Sequence, residues 1–491
     1  MIYPDKKQYE EYKKEYSVIP VIKEIEGDID TPITLFKKLC ENKVSFLLES
    51  VDGGNKWGRY SFIGRKPYIT IKGENKKITI TKDNKISKEY GKSLDIVRKL
   101  FKNYKMPNQK EYPDFLGGGV GYIAYDVIRD YEKLVQINED DIELPDLHLL
   151  IMEEFIVYDH MKQKILIIIN NFTEKDEISY TQSLDRIQEI EREIREVVVN
   201  FSFNNQYEHL SFKSNETKES FMRKVKTAKE YIRKGDIFQV VLSQRFTIDT
   251  TIEPLEFYRV LRSLNPSPYM YYLNYGEYQV VGSSPELLVK LKDKKIETCP
   301  IAGTRPRGKN EEDDDAYAVD LLEDEKEKAE HLMLLDLARN DIGKLSKFGS
   351  VEVTNFMEIQ RYSHVMHIVS NVVGDLDDKH DMFDVIISCL PAGTVSGAPK
   401  VRAMEIIDEL ETTKRGLYAG SVGYFGFNGN MDMCITIRTV LLKEGKAYIQ
   451  AGAGIVADSN PSLEYEETLK KAGALIDAVK KMGVIKDDTD Y

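Results

Sequence analysis

The chain has 491 residues, 42% of them hydrophobic and 31% charged, with a formal net charge of −13. That length suits about two domain-sized cores. No apolar run nears the ~20 residues that cross a bilayer, and the start of the chain lacks the basic-then-apolar pattern of a secretory leader. The acidic balance argues against nucleic acid, since nothing here would replace counterions along a phosphate backbone. An acidic protein that binds a small anion must instead concentrate positive charge locally. Cys40, Cys299, Cys389 and Cys434 are scattered without a C-x-x-C pair, so a reducing cytoplasm is expected and thiolate metal sites are not.

In chain order, Thr31-Pro32 predicts a helix start, a capping hydroxyl followed by proline at the first helical position. Strands are expected at residues 44–48, 60–63 and 69–80. A second helix is expected from Ser93, with Leu94, Val97, Leu100 and Phe101 on one face. Residues 149–158 and 164–169 read as a hairpin, and 173–198 as a charged helix. The polar stretch 203–215 marks the main boundary, giving an N-terminal domain over 1–205 and a second over 206–491. Phe221, Val225, Ala228 and Ile232 then lie on one face of a helix that stops at Gly235, and a strand follows over 237–246. One short echo links the halves: Gly118-Gly119-Val120-Gly121-Tyr122 and Gly420-Ser421-Val422-Gly423-Tyr424. It implies two strands that each pass close to a neighbouring backbone. Strands and helices mix without strict alternation, which favours α+β.

Residues 324–345 form a strong helical pattern, with Leu332, Leu335 and Ile342 near one face and acids in the early turns. Glu327 and Glu330 sit three apart on it. After Ser459-Asn460-Pro461 a second helix carries Glu464 and Glu467 at the same spacing, and Lys471 one turn later. Two such helices facing each other offer oxygen ligands to one hard cation. Glutamates at this spacing usually mark a solvated face, so spacing alone favours that reading over a metal site. Three segments suit small anions: Ala451-Gly452-Ala453-Gly454, the run from Pro391 to Pro399, and Pro300-Ile301-Ala302-Gly303-Thr304-Arg305. Arg438 falls in an expected apolar strand over 434–442, where a charge needs either a salt bridge or a bound anion.

These strings together are specific. Gly235-Asp236-Ile237-Phe238-Gln239-Val240-Val241-Leu242-Ser243-Gln244, Ser283-Ser284-Pro285-Glu286, Pro300 to Arg305, Glu330-His331-Leu332-Met333, Asp336-Leu337-Ala338-Arg339-Asn340-Asp341 and Ala451 to Val456 follow in order. From about Phe221 to Met482 the chain resembles the chorismate-utilising enzymes. In the first half, Leu47-Leu48-Glu49-Ser50 and Arg59-Tyr60-Ser61-Phe62 resemble the regulatory region of the anthranilate synthase large subunits. The resemblance implies face-to-face packed β-sheets flanked by helices, in two interleaved subdomains. It implies Mg2+ as cofactor, with Glu330 and Glu467 as ligands and Glu327 and Glu464 in support. Gly303, Thr304, Tyr418, Arg438, Gly452, Ala453 and Gly454 match substrate-binding positions. Thr394 and Lys471 line the same site, Glu286 matches the general acid, and His367, in His364-Val365-Met366-His367, matches the active-site histidine.

Two positions select among family members. Water-adding isochorismate and salicylate synthases resemble this chain but carry a lysine where Gln239 stands. Aminodeoxychorismate synthases carry a lysine nucleophile where Ala302 stands. Their absence implies addition of ammonia and formation of anthranilate, a lyase reaction of tryptophan biosynthesis. The chain shows no G-x-C-x-G elbow, so a separate glutamine amidotransferase subunit and a hetero-oligomer are expected. Leu48, Glu49 and Ser50, with Pro268, Tyr269 and Met270, match an L-tryptophan inhibitor site. The competing readings are an aminodeoxychorismate synthase component and a non-catalytic homologue that senses tryptophan.

Overall fold

Period-two alternation along the strands sorts side chains between two cores. In the strand Ser45–Glu49, Phe46 joins one buried cluster and Leu47 the other. In Leu147–Asp159, Phe155 and Val157 belong to the first and Ile156 and Tyr158 to the second. Both faces of these strands are therefore covered, and Leu147–Asp159 is buried at every position. The computed structural model describes residues 2–41, 43–52, 56–109, 111–135, 138–175, 179–199, 212–362 and 365–482. His364 and most of the polar stretch around the expected boundary at 205 lie outside the described residues.

Two long strands, Tyr60–Glu74 and Leu147–Asp159, pair antiparallel along their length and bend at a register shift between Ile151 and Met152. On one side of the bend the sheet continues through Ser45–Glu49, Tyr269–Asn274, Tyr278–Ser284, Thr439–Lys443 and Lys446–Ile455 to Gln239–Asp249. On the other it continues through Gly118–Ile123, Ser421–Gly426, Met431–Ile435, Leu287–Lys292 and Lys295–Thr298 to Val365–Asp375. The larger core contains residues of both arms, among them Phe46, Phe155 and Val280 from the first and Val120, Val422 and Met433 from the second. The arms thus face each other across it. The second core lies on the outer face, where the helices Pro32–Cys40, Tyr180–Glu196, Pro254–Leu264 and Pro461–Met482 cover Ile19, Leu47, Ile63 and Ile156. The expected α+β architecture of packed sheets flanked by helices is the observed one. The sheet runs unbroken across residue 205, because strands from the first half pair with strands from the second.

The two echoed segments pair with each other. Gly121 stands opposite Gly423, and Gly118 opposite Gly426. A Cβ at Gly423 would lie 2.0 Å from the Asp432 carbonyl oxygen, and one at Gly118 would lie 1.9 Å from that of Phe425. Glycine is needed because the backbones leave no room.

Several expectations are corrected. Residues 60–63 and 69–80 are not two strands. The chain runs as one strand, Tyr60–Glu74, and turns at Asn75-Lys76, both with positive φ, into Lys77–Lys82. Gly64 and Pro67 look like breakers in sequence, but neighbouring strands on both sides hold the segment extended. Leu332 is 43% exposed; the buried side of Glu325–Gly343 is built from His331, Leu334, Leu335, Ala338, Asp341 and Ile342. Arg438 is not inside a strand. It breaks the expected one into Met431–Ile435 and Thr439–Lys443 and holds a left-handed φ of 52°.

Candidate active site

The helix Glu325–Gly343 is started by Asp324, whose carboxylate accepts from Lys326 N at 3.0 Å and Glu327 N at 3.2 Å. This start aims Glu327 and Glu330 at the strand Ile301–Pro306 and at Gln239. A Cβ on Gly303 would stand 3.2 Å from Glu327 Oε2, and Gln239 Nε2 donates to Glu330 Oε1 at 3.3 Å. The helix Pro461–Met482 presents Glu464, Glu467 and Lys471. Lys471 Nζ forms an ion pair with Glu467 Oε1 at 2.6 Å and donates to the Gly452 carbonyl at 3.1 Å.

The two helices act on each other electrically. Burial raises the Glu327 carboxyl first, with Asp324 and then the more distant Glu467 adding to it. Burial and then Glu327 raise Glu330, and burial followed by Glu467 raises Glu464. Lys326 and Lys471 pull both Glu330 and Glu464 down. Four carboxylates on two helices therefore share one locality rather than two solvated faces. Their oxygen-only chemistry fits a hard divalent cation. Among the described residues, no three His, Cys, Asp or Glu side chains are gathered tightly enough to grip an ion as they stand.

Glu286 lies between the strands Tyr278–Ser284 and Leu287–Lys292. Burial pushes its carboxyl up to about 7, against the pull of Thr394 and then Lys471. Thr394 Oγ1 lies close enough to exert that pull but forms no well-shaped hydrogen bond. His367 stands on Val365–Asp375, with Nδ1 2.8 Å from the Gly303 carbonyl and 3.1 Å from Thr304 Oγ1. A carbonyl only accepts, so Nδ1 carries the proton and Nε2 keeps a free lone pair. Burial, foremost, lowers the His367 pKa; the Gly303 carbonyl raises it and Arg438 lowers it again. The imidazole is thereby held neutral, with Arg438 near it.

Among the described residues Arg438 makes no salt bridge. Its guanidinium is depressed by burial and supported by Tyr418. Of the two possibilities left open by sequence, the salt bridge is not found among the described residues. Tyr418, pushed up to about 12 by burial, faces Gly452, where a Cβ would stand 2.6 Å from the hydroxyl. Gly452, Ala453 and Gly454 pair on one side with Ser243, Leu242 and Val241. The strand on the other side, Thr439–Lys443, reaches only to Ile449. Beyond that point one backbone edge is open beside Tyr418 and Lys471.

Glu286, His367, Thr394, Lys471, Gly303, Thr304, Tyr418, Arg438, Gly452, Ala453, Gly454 and the four glutamates are thus brought together. The residues matched to an inhibitor site gather elsewhere. Met270 stands opposite Glu49, Tyr271 opposite Leu48, and Gly58 N donates to the Ser50 carbonyl at 2.7 Å. Pro268 precedes this pairing and Tyr269 OH donates to Asp432 at 3.0 Å. Glu49 is internal, accepting from Tyr258 OH at 2.7 Å and Arg262 Nε at 3.0 Å. Sequence reading missed the anchor behind the site. Buried Arg415 donates to Glu411 at 2.6 and 2.9 Å and to the carbonyls of Val395 and Val241 at 2.7 Å each. The i,i+4 spacing of Glu411 and Arg415 was the available signal.

The class of protein follows from known relatives. Residues 46–477 match the family model of chorismate binding enzymes. The chain is 52% identical to anthranilate synthase component 1 of Acetivibrio thermocellus, over 99% of this chain and 100% of that one. It is 48% identical to the same component of Aquifex aeolicus strain VF5, over 95% of each. The crystal structure of anthranilate synthase component I from Streptococcus pneumoniae TIGR4 superposes with a TM-score of 0.78 at 43% identity, covering 85% of this chain and 92% of that one. The chain belongs to the chorismate binding enzymes and, within them, to the anthranilate synthase component 1 family. No helix among the described residues is long and apolar enough to cross a membrane.

Proposed function

We propose that the chain converts chorismate and ammonia to anthranilate and pyruvate. The observation that carries this reading is the joint placement, beside Tyr418, of Arg438, which makes no salt bridge among the described residues, and of a proton-holding carboxyl, Glu286, which also feels Lys471. Arg438, Tyr418 and the open edge of Gly452 to Gly454 bind the substrate carboxylates. Glu330 and Glu467, beside Glu327 and Glu464, would hold Mg2+, which when bound supplies Lewis-acid neutralisation of a substrate carboxylate.

Ammonia forms a bond to C2, the ring electrons shift, and the C4–O bond breaks as Glu286 gives its proton to the departing hydroxyl, which leaves as water. His367 Nε2 then removes the C2 proton. The ring becomes aromatic as the C3–O bond breaks, and the released enolpyruvate takes up a proton to become pyruvate. Neither Gln239 nor Ala302 supplies a basic or nucleophilic amine for the competing chemistries. Incubation with chorismate, a magnesium salt and ammonium chloride should yield fluorescent anthranilate. Isochorismate or 4-amino-4-deoxychorismate as the main product would refute the reading.

Free ammonia is scarce near neutral pH, so the nitrogen comes from a separate glutamine amidotransferase subunit in a cytoplasmic hetero-oligomer. The purified chain using glutamine as readily as ammonium would exclude that partner. Tryptophan acts as inhibitor at Leu48, Glu49, Ser50, Pro268, Tyr269 and Met270. Support comes from connectivity: Tyr269 pairs with Ser284, two residues before Glu286, so a ligand there bears on the acid through one hairpin. Ser50→Phe should abolish inhibition, and unchanged inhibition would remove Ser50 from the site.

A further inference from the structure

A small cavity of about 50 Å³ lies on the far side of Tyr418. It sits between the loop carrying Asp140, Asp141 and Asp146, the segment Lys414 to Tyr418, and the strands around Thr436 and Tyr448. It has room for one or a few water-sized groups. Its lining is acidic, and most of the acids are answered. Asp126 pairs with Arg129 at 2.8 Å, Asp140 with Lys414 at 3.0 Å, and Asp141 with Arg245. Arg415 is neutralised by Glu411.

Asp146 differs. Among the described residues it has no salt bridge, and its carboxylate accepts a backbone N–H from Asn75 at 3.0 Å. Burial foremost pushes its carboxyl up to about 6, with Asp126 and Asp140 adding to it against the pull of the Asn75 N–H and of Lys414. A second and independent gap lies in the same wall. Thr436 is 1% exposed and its Oγ1 has no hydrogen-bond partner. A buried hydroxyl without a partner is costly, so a ligand that supplies one is favoured. A carboxylate wanting a cation and a hydroxyl wanting a partner thus border one water-sized space, which opens onto the back of Tyr418.

We propose that this cavity is an ammonium-binding site that loads the nitrogen source next to the reaction site. Ammonium matches each feature: it carries one positive charge for Asp146, an N–H for Thr436 Oγ1, and the size of water. The inference rests on the proposed use of ammonia: the cavity holds ammonium, the abundant protonated form, and the nucleophile forms when that ion gives up a proton to solvent. Potassium has the same charge and a similar size but no proton to lose, so it yields no nucleophile and occupies the site unproductively.

The test uses the full-length chain with ammonium chloride as nitrogen source, sodium chloride holding ionic strength constant. Asp146→Asn should raise the ammonium concentration for half-maximal rate about tenfold, the loss expected for a charge-assisted hydrogen bond. Thr436→Val, nearly isosteric, should raise it about threefold. Chorismate half-saturation should stay within about twofold in both. Potassium should compete with ammonium in the wild type and lose that effect in Asp146→Asn. Unmoved ammonium dependence in both variants, or no effect of potassium, overturns the proposal. So does a parallel rise for chorismate, which would indicate a merely structural role. If Asp146→Asn fails to fold, Thr436→Val and potassium competition decide. Calorimetric titration of the wild type with ammonium chloride, without chorismate, reads the site even if the protein makes no anthranilate, which separates failure of this site from failure of the proposed reaction.

Discussion

The Glu286 carboxyl ties stability and catalysis to one number. Burial raises it from an ordinary 4.5 to about 7. In the unfolded chain it returns to the ordinary value, so between those two values the folded state holds a proton that the unfolded state has lost. The contribution is fully present below about pH 4.5 and is lost as pH rises through about 7. The full loss is about 3 kcal/mol, less the screening allowed by the part of Glu286 that stays accessible. Glu286→Gln removes the titration while keeping the shape. Urea unfolding of both proteins at pH 4.5 and pH 8 isolates the effect, because every other titrating group cancels in the comparison. The wild type should lose about 2–3 kcal/mol more than the variant over that range. In its proposed role as general acid the same group is active while protonated, so kcat/KM for chorismate at saturating ammonia should fall above about pH 7, and Glu286→Gln should lower it at every pH. A difference in pH dependence below about 1 kcal/mol would mean that Glu286 is not enclosed as described, and its role as proton donor near neutrality would fall with it.

Three further outcomes follow from the geometry. Glu411→Ala leaves buried Arg415 unanswered and strips the acceptor of Ser243 N and Oγ, each at 2.8 Å; denaturant unfolding should show a loss of about 3–5 kcal/mol, and the double variant Glu411→Leu with Arg415→Leu should recover much of it. Gly423→Ala should cost about 3 kcal/mol in a thermal or urea midpoint measurement, because its Cβ would meet the Asp432 carbonyl at 2.0 Å, and backbone cannot swing aside as a side chain can. Arg438→Lys keeps the charge but loses the planar fork; chorismate KM should rise at least about tenfold with little change in stability, and an unchanged KM would remove Arg438 from the substrate site.

Much of this protein is written locally. Thr31 caps the helix expected from Thr31-Pro32, in a reciprocal pair with Thr34 that the structure adds, and Gly235 ends its helix in the left-handed conformation with φ 83°. Such signals are legible because a cap or a stop depends on residues within one turn. The ordered strings from Gly235 to Val456 likewise carried the family, and with it the candidate site residues. Other features rest on partners far away in the chain. Glu327 and Glu330 at helical spacing are ambiguous until the helix Pro461–Met482 is seen to bring Glu464 and Glu467 alongside. Arg438 reads as a strand residue until its left-handed φ breaks the strand and its guanidinium is found unanswered. The glycine echo announced two close backbone approaches, but only the sheet made them each other's partners. Local sequence thus determined which elements form and which residue types they offer. Tertiary packing decided which charges go unpaired and which proton is held, because burial and long-range pairing set the cost of a charge and neither has a local pattern.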